Sequence, residues 1–173
     1  ASTLFLTNNS PWDQFYRSIN VANDVIANVP KGGATDSVKT KIVGEAYLLR
    51  GMLYFNLVRM FGGVPLRTEP VTESNVNLPR SSKEATYDLI IADLEKAKTM
   101  MAAFAIKGRP TKYAASALLG KVYIQMAGND QSSPFWGKAK DELLAVVNSG
   151  AYALEKSSAL LFSASNENSV ESI

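Results

Sequence analysis

Apolar positions recur at helical spacing through most of the chain, and five segments carry the pattern. In "NSPWDQFYRSINVANDVIANV", Phe15, Ile19, Ala22 and Ile26 fall on one face. Ser10 can cap this helix and Pro11 suits its first turn, while "PKGGA" ends it. The second segment runs from Thr35 or Asp36 to about Phe61. Ile42, Ala46, Leu49 and Leu53 form one stripe, and Tyr47, Leu48, Phe55 and Val58 cover much of the remaining surface. Lys41, Glu45, Asn56 and Arg59 share a narrow polar strip, and Arg50 stands nearly opposite it. A helix so apolar is expected to be covered by neighbours on several sides. Gly62 and Gly63 supply a left-handed end, and Pro65 forbids continuation.

Residues 64–80, "VPLRTEPVTESNVNLPR", have three prolines and no helical period, which predicts an extended crossing loop. The third helix opens at Ser81, with Glu84 at capping-box spacing. Tyr87, Ile90, Leu94, Ala97 and Met101 form its main face, and Ala85, Leu89 and Ala92 a smaller second one, so two packing partners are expected. A fourth helix begins after Thr111 and a fifth at "PFWGKAKDELLAVV", with Gly150 at its C-cap. No stretch shows a convincing β pattern. The fold class is therefore all-α.

The helices pair. Leu119-Gly120-x2-Tyr123, followed by Ala139-x3-Leu143-x2-Val146, has tetratricopeptide spacing, and Gly51-x2-Tyr54 with Ala85-x3-Leu89-x2-Ala92 echoes it. In each pair a small residue admits the second helix and a tyrosine fills the groove beside it. The expected architecture is antiparallel helix pairs of degenerate tetratricopeptide-like type, about five main helices with a long crossing loop. Residues 1–173 read as a single α-helical domain.

Composition narrows the chemistry. The chain has 173 residues, 46 % hydrophobic and 20 % charged, which is ordinary for a packed domain. Its net charge of +2 is spread along the sequence without a basic stripe, so nucleic acid is not an expected partner. It has no cysteine and no histidine, which removes disulfides, thiol chemistry, the commonest general base and the commonest metal ligand. Phosphate-loop and zinc spacings are absent, and the carboxylates lie mainly among lysines on solvated faces. No metal, cofactor or catalytic residue is expected.

Several segments together resemble one family. "GEAYLLRGMLYFNLVRMFGGVPLRTEP" looks like the signature helix of SusD/RagB proteins, and "LPRSSKEATYDLIIADLEKA" like the segment that follows it. "WDQFYRSINVANDVI", "GRPTKYAASALLGKVYIQMAG", "AKDELLAVVNSGAYAL" and "LLFSASNENSVESI" resemble further family segments in the same order. The resemblance implies a nutrient-binding lipoprotein on the outer face of the outer membrane. It would pass oligosaccharide, or in some members peptide, to a SusC-like TonB-dependent transporter. It implies no enzyme activity. It also implies a fragment covering the helical scaffold, since the family's lipidation cysteine and long C-terminal part are not in this sequence. Membrane attachment would run only through that lipid anchor.

Three residues are candidates for ligand binding. Trp12 offers an aromatic face for sugar stacking, and Asn8 and Asn9 offer amides that donate to and accept from hydroxyl pairs. Each has an ordinary alternative: Trp12 packing near Tyr16, and loop or capping roles for the asparagines. Phe135 and Trp136 form a second aromatic cluster whose expected role is packing at a helix start. Arg50, on an apolar face, needs a buried counter-ion, and Asp93 is the candidate. The alternative function is a helical protein-interaction scaffold without its own ligand site. Exposed coplanar aromatics would favour glycan binding, and burial of both Trp12 and Trp136 would favour the scaffold.

Overall fold

The structure is a computed structural model that describes residues 10–103 and 108–157, together with 159, 163, 166 and 169–172. Among the described residues five α-helices follow one another: α1 (Pro11–Asn28), α2 (Asp36–Phe61), α3 (Lys83–Met100), α4 (Lys112–Ala127) and α5 (Phe135–Val147). A short 3-10 turn, Val29–Lys31, closes α1. Each helix packs on the next in chain order, with α2 against α3 and α4 against α5 as the closest pairs. This is the expected all-α arrangement of helix pairs.

Local chemistry sets the helix ends. The Ser10 hydroxyl accepts from the Asp13 N–H at 3.2 Å, and Thr111 accepts from the Tyr113 N–H at 3.2 Å. The start of α3 lies one residue later than expected. Ser82 is the cap, accepting from the Ala85 N–H at 3.0 Å. Ser81 is held instead by its own N–H, which donates to the Val64 carbonyl at 3.1 Å and ties the two ends of the crossing segment together. At the other end of the domain, α5 stops at Asn148 rather than at Gly150, which follows in a turn with φ 65°.

Two adjacent glycines at the end of α2 serve different needs. Gly62 takes φ 73°, ψ −141°, a conformation that side chains resist, with open space around its Cα. Gly63 is required by crowding: a Cβ there would lie 2.1 Å from the Ser81 carbonyl oxygen.

The core runs along α2, α3 and α4, with Tyr54, Leu57, Ile90, Leu94, Leu119 and Val122 fully enclosed. Small residues set the helix approach as the repeat reading expected. A Cβ on Gly120 would lie 2.6 Å from Leu143 Cγ, and one on Gly51 3.0 Å from Leu94 Cδ2. The α3 surface meeting Gly51 carries Ile90 and Leu94, and α3 has the two packing partners expected, α2 and α4, although of its smaller face Leu89 packs on the core while Ala92 is exposed. A further demand on α3 is polar, through Asp93 (below).

The stripe on α2 is also only partly covered. Ala46 is buried, but Leu49 is 49 % exposed, and Met52, outside the stripe but beside it, is 39 % exposed. With Val21 and Val25 of α1 they border an apolar groove of about 460 Å³ between the two helices.

Candidate functional site

One face of α1 is amide and hydroxyl rather than apolar. Tyr16, Asn20 and Asn23 follow at spacings of four and three, so they share a side of the helix. On α2, Arg50 and Tyr54 are likewise one turn apart. Together these five side chains hold the backbone of the crossing segment. The Tyr16 hydroxyl donates to the Pro65 carbonyl at 2.7 Å. The Tyr54 hydroxyl accepts from the Arg67 N–H at 2.6 Å and donates to the Arg67 carbonyl at 3.0 Å. Asn23 Nδ2 donates to the carbonyls of Arg67 and Glu69 at 3.1 and 2.9 Å. Arg50 Nη1 donates to the Thr68 carbonyl at 2.9 Å, and Asn20 Oδ1 accepts from the Val71 N–H at 2.9 Å. A segment without helix or strand thus has its backbone polar groups satisfied by side chains, which fixes it in place.

Beneath that contact lies a buried ionic group. Arg50 and Asp93 pair at 2.7 Å, and Arg50 Nη1 also donates to Asn23 Oδ1 at 2.7 Å. All three residues are at most 3 % exposed. Asp93 holds the Arg50 guanidinium in its charged form, whereas burial pushes the Asp93 carboxyl upward. The double short contact is the geometry of an ionised pair. The pairing expected from the sequence is therefore present.

The fixed segment forms one wall of a cleft of about 450 Å³, and the first half of α1 forms the other. Trp12, Asp13, Tyr16, Arg17, Asn20 and Arg67 line it. Trp12 is half-buried: its ring centroid lies 5.0 Å from that of Tyr16 at a 47° tilt, and 5.1 Å from Phe61 edge-on. Arg80 sits over Trp12 at 5.6 Å and Arg67 over Tyr16 at 5.5 Å. Burial, with Tyr54 nearby, drives the Tyr16 hydroxyl well above its ordinary value, against the pull of Arg67 and Arg80. Asp13 is the one carboxylate among the lining residues, and its Oδ2 accepts from the Ser10 hydroxyl at 2.8 Å. A single carboxylate does not make the pair that glycoside hydrolysis uses.

Of the sequence candidates, Trp12 borders this cleft, and Asn8 and Asn9 lie outside the described residues. The second aromatic cluster divides. Phe135 stacks on Tyr123 at 6.1 Å and 11°, whereas Trp136 is 40 % exposed with its indole N–H on the Asp130 carbonyl at 2.9 Å. The two tryptophans thus give neither the coplanar exposed pair nor the double burial set out above. Sequence reasoning missed the row of Tyr16, Asn20 and Asn23; the signal was the helical spacing of residues that are poor apolar packers.

Residues 4–124 match the SusD-like family described as starch-binding, associating with outer membrane. The chain belongs to the SusD-like family. A SusD-like protein of Bacteroides ovatus is 34 % identical over 122 residues, 68 % of this chain and 22 % of that protein. A laminarin-binding SusD-like protein superposes with a TM-score of 0.76 at 32 % identity, covering 84 % of this chain and 32 % of the other. A structure solved with xylogluco-oligosaccharide gives 0.82 at 29 % identity, covering 91 % and 33 %. This SusD-like chain therefore spans between about a fifth and a third of the length of these relatives. Among its described residues no helix is long and apolar enough to cross a membrane.

Proposed function

We propose that this chain is the helical scaffold of a protein that captures glycans without catalysis at the outer face of the outer membrane. The single observation that carries the reading is membership of a family described as starch-binding and associating with the outer membrane. Two similar structures, one of a laminarin-binding protein and one with xylogluco-oligosaccharide, support glycan over peptide. In this reading residues 1–173 are one unit of a longer lipid-anchored polypeptide, and captured oligosaccharide passes to a SusC-like TonB-dependent transporter.

The cleft of Trp12 is the proposed place of contact within this chain. Its rigid wall supports that role, because a wall already ordered loses little freedom when ligand binds. Asn8 and Asn9, just before α1, are proposed to reach the same ligand. Calorimetric titration with a panel of oligosaccharides, repeated on Trp12→Ala, tests the proposal. Saturable heat with one glycan class, lost in the variant, is the expected result. Absence of heat with every glycan moves the binding surface to parts of the protein beyond this chain.

A second reading, a helical protein-interaction scaffold, draws on the open apolar groove between α1 and α2, where Val21, Leu49 and Met52 stay exposed.

A further inference from the structure

The cleft beside Trp12 is richer in positive charge than a neutral-sugar platform needs. Arg17 is exposed on α1 and has no hydrogen-bond or ion-pair partner among the described residues. Arg67 is fixed: its backbone is held on both sides by the Tyr54 hydroxyl, its Nη2 donates to the Val76 carbonyl, and its guanidinium lies on the Tyr16 ring. Its Nε is buried without a partner. Arg80 lies over Trp12 and donates to the Phe61 carbonyl at 3.3 Å. Against these stands one lining carboxylate, Asp13, whose Oδ2 accepts from the Ser10 hydroxyl, so the lining keeps two guanidinium charges to one carboxylate.

This arrangement selects a ligand class. Arg80 already occupies one face of Trp12, which leaves less ring for a neutral pyranose to stack on. The guanidinium of Arg17 can present a fork to the two oxygens of a carboxylate or to two of the tetrahedral oxygens of a sulfate, Arg67 adds its positive charge beside it, and charge-assisted hydrogen bonds are roughly twice as strong as neutral ones. The rings of Trp12 and Tyr16 and the ordered backbone at Pro65 form part of the cleft wall, and the exposed Arg17 stands at its solvent side, so the attraction falls as salt rises. We propose that this cleft takes an anionic sugar unit, a carboxylate or sulfate ester carried on the oligosaccharide, with Arg17 and Arg67 as its ligands. The inference rests on the glycan-capture reading and names the substrate class for that site.

The test is calorimetric titration of the chain with matched pairs of probes. One pair is oligogalacturonide and its methyl-esterified, neutral form; another is a sulfated oligosaccharide and its desulfated form; xyloglucan and laminarin oligosaccharides accompany them. At least one charged probe is expected to bind about tenfold or more tightly than its neutral partner, with affinity falling as salt rises. Arg17→Gln, at an exposed position that leaves the fold intact, is expected to erase most of that difference, and Arg67→Gln the rest. Equal or tighter binding of the neutral partners, or binding of only the neutral xyloglucan or laminarin probes, overturns the anionic assignment and leaves glycan capture standing. A charge preference that Arg17→Gln and Arg67→Gln both leave unchanged also overturns it. No binding of any probe overturns both readings for this chain.

Discussion

Arg50 and Asp93 meet in a fork, Nε to Oδ2 and Nη2 to Oδ1, both at 2.7 Å, with side chains 4 % and 1 % exposed. The pair bridges α2 and α3, and through Asn23 and the Thr68 carbonyl it reaches α1 and the crossing segment as well. One guanidinium on α2 therefore satisfies groups from three other parts of the chain. A partner on each of its three nitrogens is what makes burial of the charge tolerable.

Removing one partner should leave the other charged and stranded. Asp93→Ala is expected to destabilise the chain by about 3–5 kcal/mol. Urea unfolding followed by circular dichroism measures it. A loss of less than about 1 kcal/mol would mean that water or a neighbour replaces the carboxylate.

The Tyr54 hydroxyl carries the Arg67 backbone on both sides, and burial pushes its pKa up from 10.0 to about 12. The folded value lies above the unfolded one. Its contribution to stability is therefore complete below pH 10 and is lost as pH rises towards 12. Alkaline unfolding in that window is expected. Tyr54→Phe should be less stable at neutral pH by about 1–3 kcal/mol, through the unpaired Arg67 groups. It should also show a shallower fall above pH 10. Parallel pH curves for the two proteins would rule this out.

Crowding at the glycines should rank by what stands opposite. At Gly120 the obstacle is the Leu143 side chain, which can turn; at Gly63 it is the backbone of Ser81 and Ser82, which cannot. Gly63→Ala is expected to cost more than Gly120→Ala, the latter within the ~1–3 kcal/mol typical of overpacking. Thermal melts of both variants give the order, and the reverse order would contradict the packing described for the turn after α2.

Asn20 holds the Val71 N–H from outside the core, so Asn20→Ala should loosen the cleft wall without unfolding the helices. Hydrogen exchange at the Val71 amide is expected to accelerate while α2 and α3 amides keep their protection. Unchanged exchange at Val71 would show that the wall is held by other contacts.

Much of this was legible in the sequence because helical period reports burial directly. The five helices, the caps at Ser10 and Thr111, the break at Gly62–Gly63 and the ion pair of Arg50 with Asp93 all follow from spacing and from the cost of an unpaired buried charge. The α3 start slipped by one residue because Ser81 is drawn into a backbone contact with Val64, a tertiary demand that local pattern does not carry. The cleft was half visible. Trp12 stood out as an aromatic in a polar setting, but its wall comes from residues 65–71, which have no period at all. Their order depends on hydrogen bonds from side chains 13 to 51 residues away along the chain.

The measurement that bears most directly on the central claim is tryptophan emission of Trp136→Phe during titration with the tightest-binding oligosaccharide. Trp136 is the other tryptophan and lies outside the cleft lining, so only Trp12 would then report. A saturable change in emission, with the same midpoint as the heat of binding, is the expected result and places the ligand beside Trp12. Binding heat with no change in Trp12 emission would contradict the account and put the glycan elsewhere on the scaffold.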